Sequence, residues 1–242
     1  MLRKQLKKGL PRRRIYLLAG AAALGLFIFL RFFLWLAGEI PYWGEEPIEI
    51  VNTALNEVKM GLSYSYSMEA VEEVDGQRRV LAVLEGRKSG SEAQISGDLP
   101  FINGSIELVR KSNQLYRKDA LEDRWVKVPL VNLEDLETLM VEINPLSIFS
   151  FLDNTAVEYA GKGKVDGRRC RIYEAMSRGE NMWLTFIWQD YNYRIWVDQK
   201  EGYLKQGEIT AEHRDDSTHR LIVTVKIKDY NQPLTIEAPV QN

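Results

Sequence analysis

Residues 132–154, NLEDLETLMVEINPLSIFSFLDN, are the one helix-patterned stretch in the middle of a chain that otherwise alternates like β-strands. Asn132 suits an N-cap position, and Glu134 and Asp135 place carboxylates in the first turn, where the helix dipole favours them. Apolar side chains then recur at steps of three and four residues, the spacing of one helix face, at Leu133, Leu136, Leu139, Met140 and Ile143. The stretch therefore predicts an amphipathic helix that begins near Asn132.

Asn144-Pro145 interrupts this pattern, because proline lacks an N–H and disfavours helix at the residue before it. Pro145 can itself open a second short helix, which is apolar nearly all round at Leu146, Ile148, Phe149, Phe151 and Leu152. So much apolar surface must cover something apolar. Two interpretations stay open at this point, a helix pair that closes an ordinary core and a lid over a cavity.

Near the N-terminus, residues 15–38 read IYLLAGAAALGLFIFLRFFLWLAG, with Arg31 as the only charge. At about 1.5 Å per residue this run is long enough to cross a hydrocarbon layer of roughly 30 Å, so it predicts a transmembrane helix. The seven basic residues before it predict a cytoplasmic N-terminus. A cleaved signal peptide is the alternative, although its apolar core is usually only about 7 to 15 residues.

These features predict four parts: a basic cytoplasmic tail (1–14), a transmembrane signal-anchor helix (15–38), a linker (39–47) and an extracytoplasmic domain (48–242). From residue 39 onward the chain carries 24 basic and 34 acidic side chains. Such an acidic balance predicts that nucleic acid is not a partner.

The extracytoplasmic domain begins with a predicted helix from Ile48 to about Met60, which Gly61 ends. From Ser63 the hydrophobic period changes to two, and turn residues such as Asp75-Gly76 and Asp166-Gly167 separate the segments. About ten or eleven short antiparallel strands predict a mainly β (α+β) fold. We expect a curved, half-open antiparallel β-barrel with an N-terminal helix and a central helical lid, and a two-sheet sandwich is the alternative.

The inventory of catalytic groups is thin. His213 and His219, the only histidines, flank an acidic polar turn and are interpreted as solvated loop residues. Cys170 is the only cysteine, so it can form no intramolecular disulfide and no cysteine-based metal cluster. The chain has no phosphate-binding loop, no GxSxG and no HExxH. We therefore predict no catalytic residue, no metal site, no cofactor and no enzymatic activity.

Aromatic and apolar residues are unusually dense between Met182 and Trp196. The pattern predicts two adjacent strands, 182–189 and 193–198, joined by a tight turn over 190–192. Both faces of the first strand are apolar, whereas a sheet with one wet face alternates cleanly. A partner, a membrane, a lid or a ligand would cover the second face, and a well-packed core with tryptophan at its rim is the alternative.

Several local sequences carry a family resemblance: LSYSY at 62–66, RWVKVP at 124–129, RIWVD at 194–198, GYLK at 202–205 and VKIKDY at 225–230. With the order helix, strands, helical island and strands, residues 47–239 resemble the LolA-like superfamily of bacterial lipoprotein carriers and the related LppX and LprG type envelope lipoproteins. The resemblance implies an unclosed antiparallel barrel with a helical lid, an apolar cavity for acyl chains and no catalysis. A retained membrane anchor departs from that family and favours local transfer, sensing or presentation.

The first functional hypothesis is a membrane-anchored extracytoplasmic module that binds the acyl chains of lipids or lipoproteins. Its cavity and lid would be lined by Leu136, Met140, Leu146, Phe149, Leu152, Tyr66, Trp183, Phe186, Trp188 and Trp196. The second is a non-enzymatic sensor or scaffold domain of the cell envelope, with a filled core, that acts through an envelope protein partner. An enzyme is the third and least favoured, since no nucleophile stands with a base.

Overall fold

One open antiparallel sheet dominates the computed structural model, which describes residues 46–100, 103–119, 122–128, 146–149, 155–177 and 186–239. Its eleven strands are β1 Ser63–Val74, β2 Gln77–Ser89, β3 Glu92–Leu99, β4 Gly104–Lys111, β5 Gln114–Asp119, β6 Arg124–Val128, β7 Val157–Val165, β8 Arg168–Ser177, β9 Trp188–Asp198, β10 Leu204–His213 and β11 Asp216–Lys228. The predicted single antiparallel sheet is confirmed for this part of the chain, and the sandwich alternative is not observed there.

The strand order is β6-β5-β4-β3-β2-β1-β11-β10-β9-β8-β7. Two meanders, β1–β6 and β7–β11, are thus joined where the first strand pairs with the last, from Ser65 opposite Lys228 to Val74 opposite His219. The two edge strands, β6 and β7, are consecutive in sequence. Residues 129–156 therefore connect one edge of the sheet to the other.

The hairpin turns follow directly from local sequence. Asp75-Gly76 has φ values of 51° and 77°, and Asp166-Gly167 has 48° and 79°. Two consecutive residues with positive φ are what a two-residue turn of type I′ needs, and Asp-Gly supplies them at low steric cost. Both predicted hairpins are confirmed, and they join β1 to β2 and β7 to β8.

The predicted turn over 190–192 is wrong. Strand β9 runs without a break from Trp188 to Asp198. Asp190 does adopt the left-handed conformation, with φ of 51°, but Asp190 and Tyr191 together lie opposite the single residue Ala211 of β10. The turn-forming residue thus makes a β-bulge, which bends the strand and keeps the pairing going.

The sequence pattern also predicts a turn between two strands at Gly97-Asp98, but this pair lies inside β3. A β-carbon at position 97 would come within 2.1 Å of the carbonyl oxygen of Val83, so the neighbouring strand β2 approaches too closely for any side chain. Glycine here permits a close contact between strands and does not make a turn.

Helix α1, Pro47–Met60, confirms the predicted N-terminal helix. Its buried face packs on the sheet beside β7, β9 and β10, through Val51, Ala54, Leu55 and Val58. Lys88 donates a 2.7 Å hydrogen bond to the carbonyl oxygen of Lys59, which places a cation at the negative end of the helix. Gly61, with φ of −53°, ends the helix where a β-carbon would come within 2.9 Å of the Tyr230 ring.

Two predictions concern residues outside those described. The predicted transmembrane segment, 15–38, is one, and among the described residues no helix is long and apolar enough to cross a membrane. The central helical island is the other, because only residues 146–149 of it are described. The transmembrane anchor and the helical lid therefore stay predictions.

The turn after β9 depends on Asp198, a buried carboxylate. It accepts hydrogen bonds from the backbone N–H groups of Lys200 at 2.8 Å and Glu201 at 2.9 Å, and from Nε of Arg168 at 2.8 Å. Burial by itself raises the pKa of Asp198, but these hydrogen bonds outweigh it and hold the pKa below its ordinary value. The ionised form is therefore part of the folded structure.

We predict that Asp198→Ala lowers the free energy of unfolding by about 2 to 3 kcal/mol, because two turn N–H groups lose their acceptor. Since the folded-state pKa is depressed, this contribution is present above the ordinary pKa of about 4 and is lost as pH falls through the folded-state value. Urea unfolding at pH 7 and at successively lower pH measures it. Glu201→Ala is the control, because its exposed ion pair with Arg168 contributes little. Equal stability of wild type and Asp198→Ala at pH 7 would contradict this account.

Candidate functional site

The face of the sheet that carries α1 is apolar across its centre, and we call it the core face. Alternate residues of β8 to β11 and of β1 point to it and are buried: Tyr173, Ala175, Tyr193, Ile195, Ile209, Ala211, Val223, Val225, Tyr66 and Ala70. The residues between them are exposed or half-buried, as Arg194 and Thr224 illustrate. This period of two is what separates an apolar face from a wet one.

Leu146 and Phe149 lie on the core face and are completely buried. They belong to the segment that links the two edges of the sheet, and the N–H of Phe149 donates to the Leu146 carbonyl at 3.1 Å, which closes a turn. The ring of Phe149 contacts Tyr193 edge-on, at 6.3 Å between centroids. The connection between β6 and β7 therefore crosses the core face at this point.

Phe149 is seated on a glycine. A β-carbon at Gly207 of β10 would come within 2.4 Å of the Phe149 ring, so any side chain there would push the ring away. Tyr66 has the same relation to Gly86 of β2, where a β-carbon would come within 2.2 Å of the tyrosine ring. Glycine at these two strand positions makes room for an aromatic ring on the core face.

Tyrosine hydroxyls on this side of the molecule stay neutral. Burial raises the pKa of Tyr64 and of Tyr191 to about 12, and it raises the pKa of Tyr66 as well. Among the described residues, Lys205 is the one buried cation; its Nζ donates to the Ile227 carbonyl at 2.7 Å and lies 3.6 Å from a carboxylate oxygen of Asp166. The tyrosines at the centre of the core face therefore present neutral hydroxyl groups, not phenolates, to an apolar group that packs there.

At one end of the sheet, the two histidines surround Trp188. The His213 and His219 rings are stacked 4.8 Å apart, and each meets the Trp188 ring edge-on. Nε2 of His219 lies 2.6 Å from Oε1 of Glu72, whose other oxygen lies 2.6 Å from Nη2 of Arg79. The interpretation of these histidines as solvated loop residues is corrected, because both are half-buried members of β10 and β11.

The predicted cavity residues fall into four groups. Leu146, Phe149, Tyr66 and Trp188 are buried in one core cluster. Trp196 lies on the opposite face of the sheet from its neighbours Ile195 and Val197, with the Arg194 guanidinium 5.4 Å from its ring. Phe186 is 71% exposed. The remaining four lie outside the described residues: Leu136, Met140, Leu152 and Trp183.

Sequence reasoning missed some of the core face. Tyr193 and Ile195 alternate with Asn192 and Arg194, a clear signal that the predicted turn obscured. Gly207 had a weaker signal, since an isolated glycine within a strand pattern often marks a close approach of another group. Nothing in the sequence indicates that this group is Phe149.

The opposite face of the sheet has an open groove of about 470 Å³ beside the edge strand β7. Its lining includes Glu158, Glu174 and Glu208, together with Arg194, which pairs with Glu174 at 3.2 Å. Ionised carboxylates disfavour contact with hydrocarbon. This groove is therefore distinct in chemistry from the core face. Within the described ranges, no three His, Cys, Asp or Glu side chains are placed to share a metal ion.

No protein-family model and no curated protein matches this chain. Among solved structures, the lipoprotein LppX of Mycobacterium tuberculosis aligns over 78% of this chain and 97% of its own, with 14% identity and a TM-score of 0.53. LprF from Mycobacterium bovis aligns over 79% and 95%, with 11% identity and a TM-score of 0.49. A LolA superfamily protein from Nitrosomonas europaea aligns over 80% and 96%, with 11% identity and a TM-score of 0.32. The chain therefore shares the fold of LppX.

Proposed function

We propose that this protein is a non-enzymatic, membrane-anchored module that holds the acyl chains of lipids or lipoproteins against the core face of its sheet. The observation that carries the proposal is the seating of Leu146 and Phe149. A segment that links the two open edges of the sheet crosses an uncharged apolar surface there and buries its own apolar side chains on it. A surface of that kind binds hydrocarbon in the same way.

The driving force would be apolar burial, at about 25 cal/mol per Å² or roughly 0.8 kcal/mol per methylene group. Neutral tyrosine hydroxyls and alternating aliphatic side chains provide that surface without a charged group at its centre. The affinity of such binding would depend on the length and volume of the acyl chain more than on the lipid head group. The LolA-like resemblance, which implies an apolar cavity for acyl chains, supports the same function.

The anchor belongs to the proposal as well. Residues 15–38 would span the membrane with the seven basic residues on the cytoplasmic side, which places the domain on the outer side. A tethered protein cannot ferry cargo across an envelope. We therefore propose local transfer or presentation at the membrane surface.

A specific observation favours a second function, an envelope sensor or scaffold with a filled core that acts through a protein partner. Phe149 fits its glycine seat so closely that the described part of the interior at this point is packed like an ordinary core. Acyl-chain binding requires that hydrocarbon can enter beside the Phe149 ring or replace it, whereas the sensor or scaffold function does not.

Native mass spectrometry of the full chain, released from its membrane in detergent and followed by solvent extraction, tests the choice. We expect a bound lipid of defined mass, because the core face offers hydrocarbon a large apolar area. A chain that carries no lipid and takes up none when it is added would contradict acyl-chain binding and favour the filled core.

We predict that Phe149→Asp abolishes the retained lipid, because a carboxylate on the core face is costly to desolvate. Val83→Asp is the matched control, since it adds the same charge at a half-exposed position on the opposite face of the sheet. Lipid that associates with the predicted transmembrane span is retained in both variants. Equal retention by wild type and Phe149→Asp would contradict the role of the core face.

Gly207→Ala tests the contact between the Phe149 ring and Gly207 without adding a charge. The new methyl group meets the Phe149 ring, so we predict a loss of about 1 to 3 kcal/mol in the free energy of unfolding from overpacking. Far-UV circular dichroism and urea unfolding measure it. Combining the change with Phe149→Leu, which withdraws the ring, should restore part of the loss, and strict additivity of the two changes would contradict direct contact.

A further inference from the structure

Two exposed apolar side chains project from the end of the sheet where α1 finishes. Met60 is 84% exposed and Leu62 is 76% exposed, and only Gly61 separates them. Leu62 is held in place by its backbone, since its N–H donates to Oδ1 of Asn231 at 3.0 Å and its carbonyl accepts from Gly90 at 2.7 Å. We call Met60 and Leu62 the apolar tip.

Three cations lie at the same end of the sheet as the apolar tip. Lys59 precedes Met60, and Arg87 and Lys228 lie opposite Ser65 on the two strands that flank β1, so their backbones are about 10 Å apart. Among the described residues none of the three has an ion-pair partner. Two acids share this end: Glu57 accepts a hydrogen bond from the Tyr230 hydroxyl, and Asp229 accepts one from the Ser65 hydroxyl. Together with Lys88, whose Nζ donates to the Lys59 carbonyl, the three cations outnumber these two carboxylates.

The opposite end of the sheet also exposes apolar side chains, at Phe186 and Ile187. Its charge is different, because the nearby turns carry Asp75, Asp215 and Asp216. Hydrogen bonds from Thr218 hold the pKa of Asp216 below its ordinary value, so that carboxylate stays ionised. Arg214 shares the turn with Asp215, but the three carboxylates outnumber it, so an anionic surface would be attracted less to this end than to the apolar tip.

We propose that the apolar tip, with Lys59, Arg87 and Lys228, docks the domain on an anionic phospholipid bilayer. Apolar side chains that enter the acyl boundary and cations that face lipid phosphates are the two components of interfacial membrane binding. The proposal rests on the proposed membrane tether for proximity alone. The eight residues 39–46, between the predicted span and α1, reach at most about 28 Å, which keeps the tip within reach of the surface.

The test places a spin label at Leu62→Cys or at Phe186→Cys in the full chain. These positions are similarly exposed apolar sites at opposite ends of the sheet, and Cys170 is fully buried, so it does not compete for the label. The labelled chain is reconstituted into nanodiscs of phosphatidylcholine alone or with phosphatidylglycerol. Collisions with oxygen, which partitions into lipid, and with a water-soluble nickel chelate report the surroundings of each label.

We expect the label at position 62 to enter the lipid phase only in discs that contain phosphatidylglycerol, and the label at 186 to stay aqueous in both. The double variant Lys59→Gln, Lys228→Gln should lower the ratio of docked to undocked protein roughly tenfold or more. Each cation near an anionic surface raises that ratio several-fold. Arg78→Gln, at the other end of the sheet, should leave it unchanged.

A label at 62 that stays aqueous in anionic discs, or a label at 186 that enters lipid instead, overturns the proposal. Retention of the chain by neutral discs reports the tether separately. Loss of acyl-chain binding in Phe149→Asp would leave both label signals intact, so failure of docking and failure of the proposed function are distinguishable.

Discussion

The pairing of β1 with β11 is the constraint on which the rest of the structure depends. It joins the first strand of the chain to the last over ten residue pairs and so fuses two meanders into one sheet. Because the centre of the sheet is made from the chain ends, the edges are made from its middle, at β6 and β7. Of the residues that connect those two edges, Leu146 and Phe149 are described, and both are buried on the core face.

In this topology two elements pack on the core face. Helix α1 covers it beside β7, β9 and β10, and the crossing segment reaches its centre, where Gly207 admits the Phe149 ring. Among the described residues, α1 together with Leu146 and Phe149 covers this apolar surface, and the proposed acyl-chain binding would replace part of that cover. The core face is apolar at its centre, whereas the groove on the other face is lined by carboxylates, so the two faces differ in chemistry.

Local chemistry allowed much of the fold to be predicted. Asp-Gly pairs made hairpins where they stood between alternating segments, and Gly61 marked the end of α1. Asp190 misled because the left-handed conformation that suits a turn also suits a bulge, and only the partner strand decides between them. The turn predicted at Gly97 was also wrong, because glycine is required there by the carbonyl oxygen of Val83, which lies on a neighbouring strand.

The site was predicted in outline only. Buried aromatics could be read from composition, so Tyr66, Phe149 and Trp188 were found, but the face on which an aromatic lies depends on register, and Trp196 lies on the other one. His213 packs against His219 across the β10–β11 hairpin, whose register is shifted by a bulge between Glu212 and His213 that the sequence pattern does not reveal. The most direct test of the account is crosslinking of the full chain with a photoreactive fatty acid, with adducts mapped by peptide sequencing. Beyond the predicted transmembrane span, adducts should fall on core-face residues such as Tyr173, Tyr193 and Ile209. Adducts confined to the opposite face, at Glu158 or Glu208, or absent from the domain altogether, would contradict it.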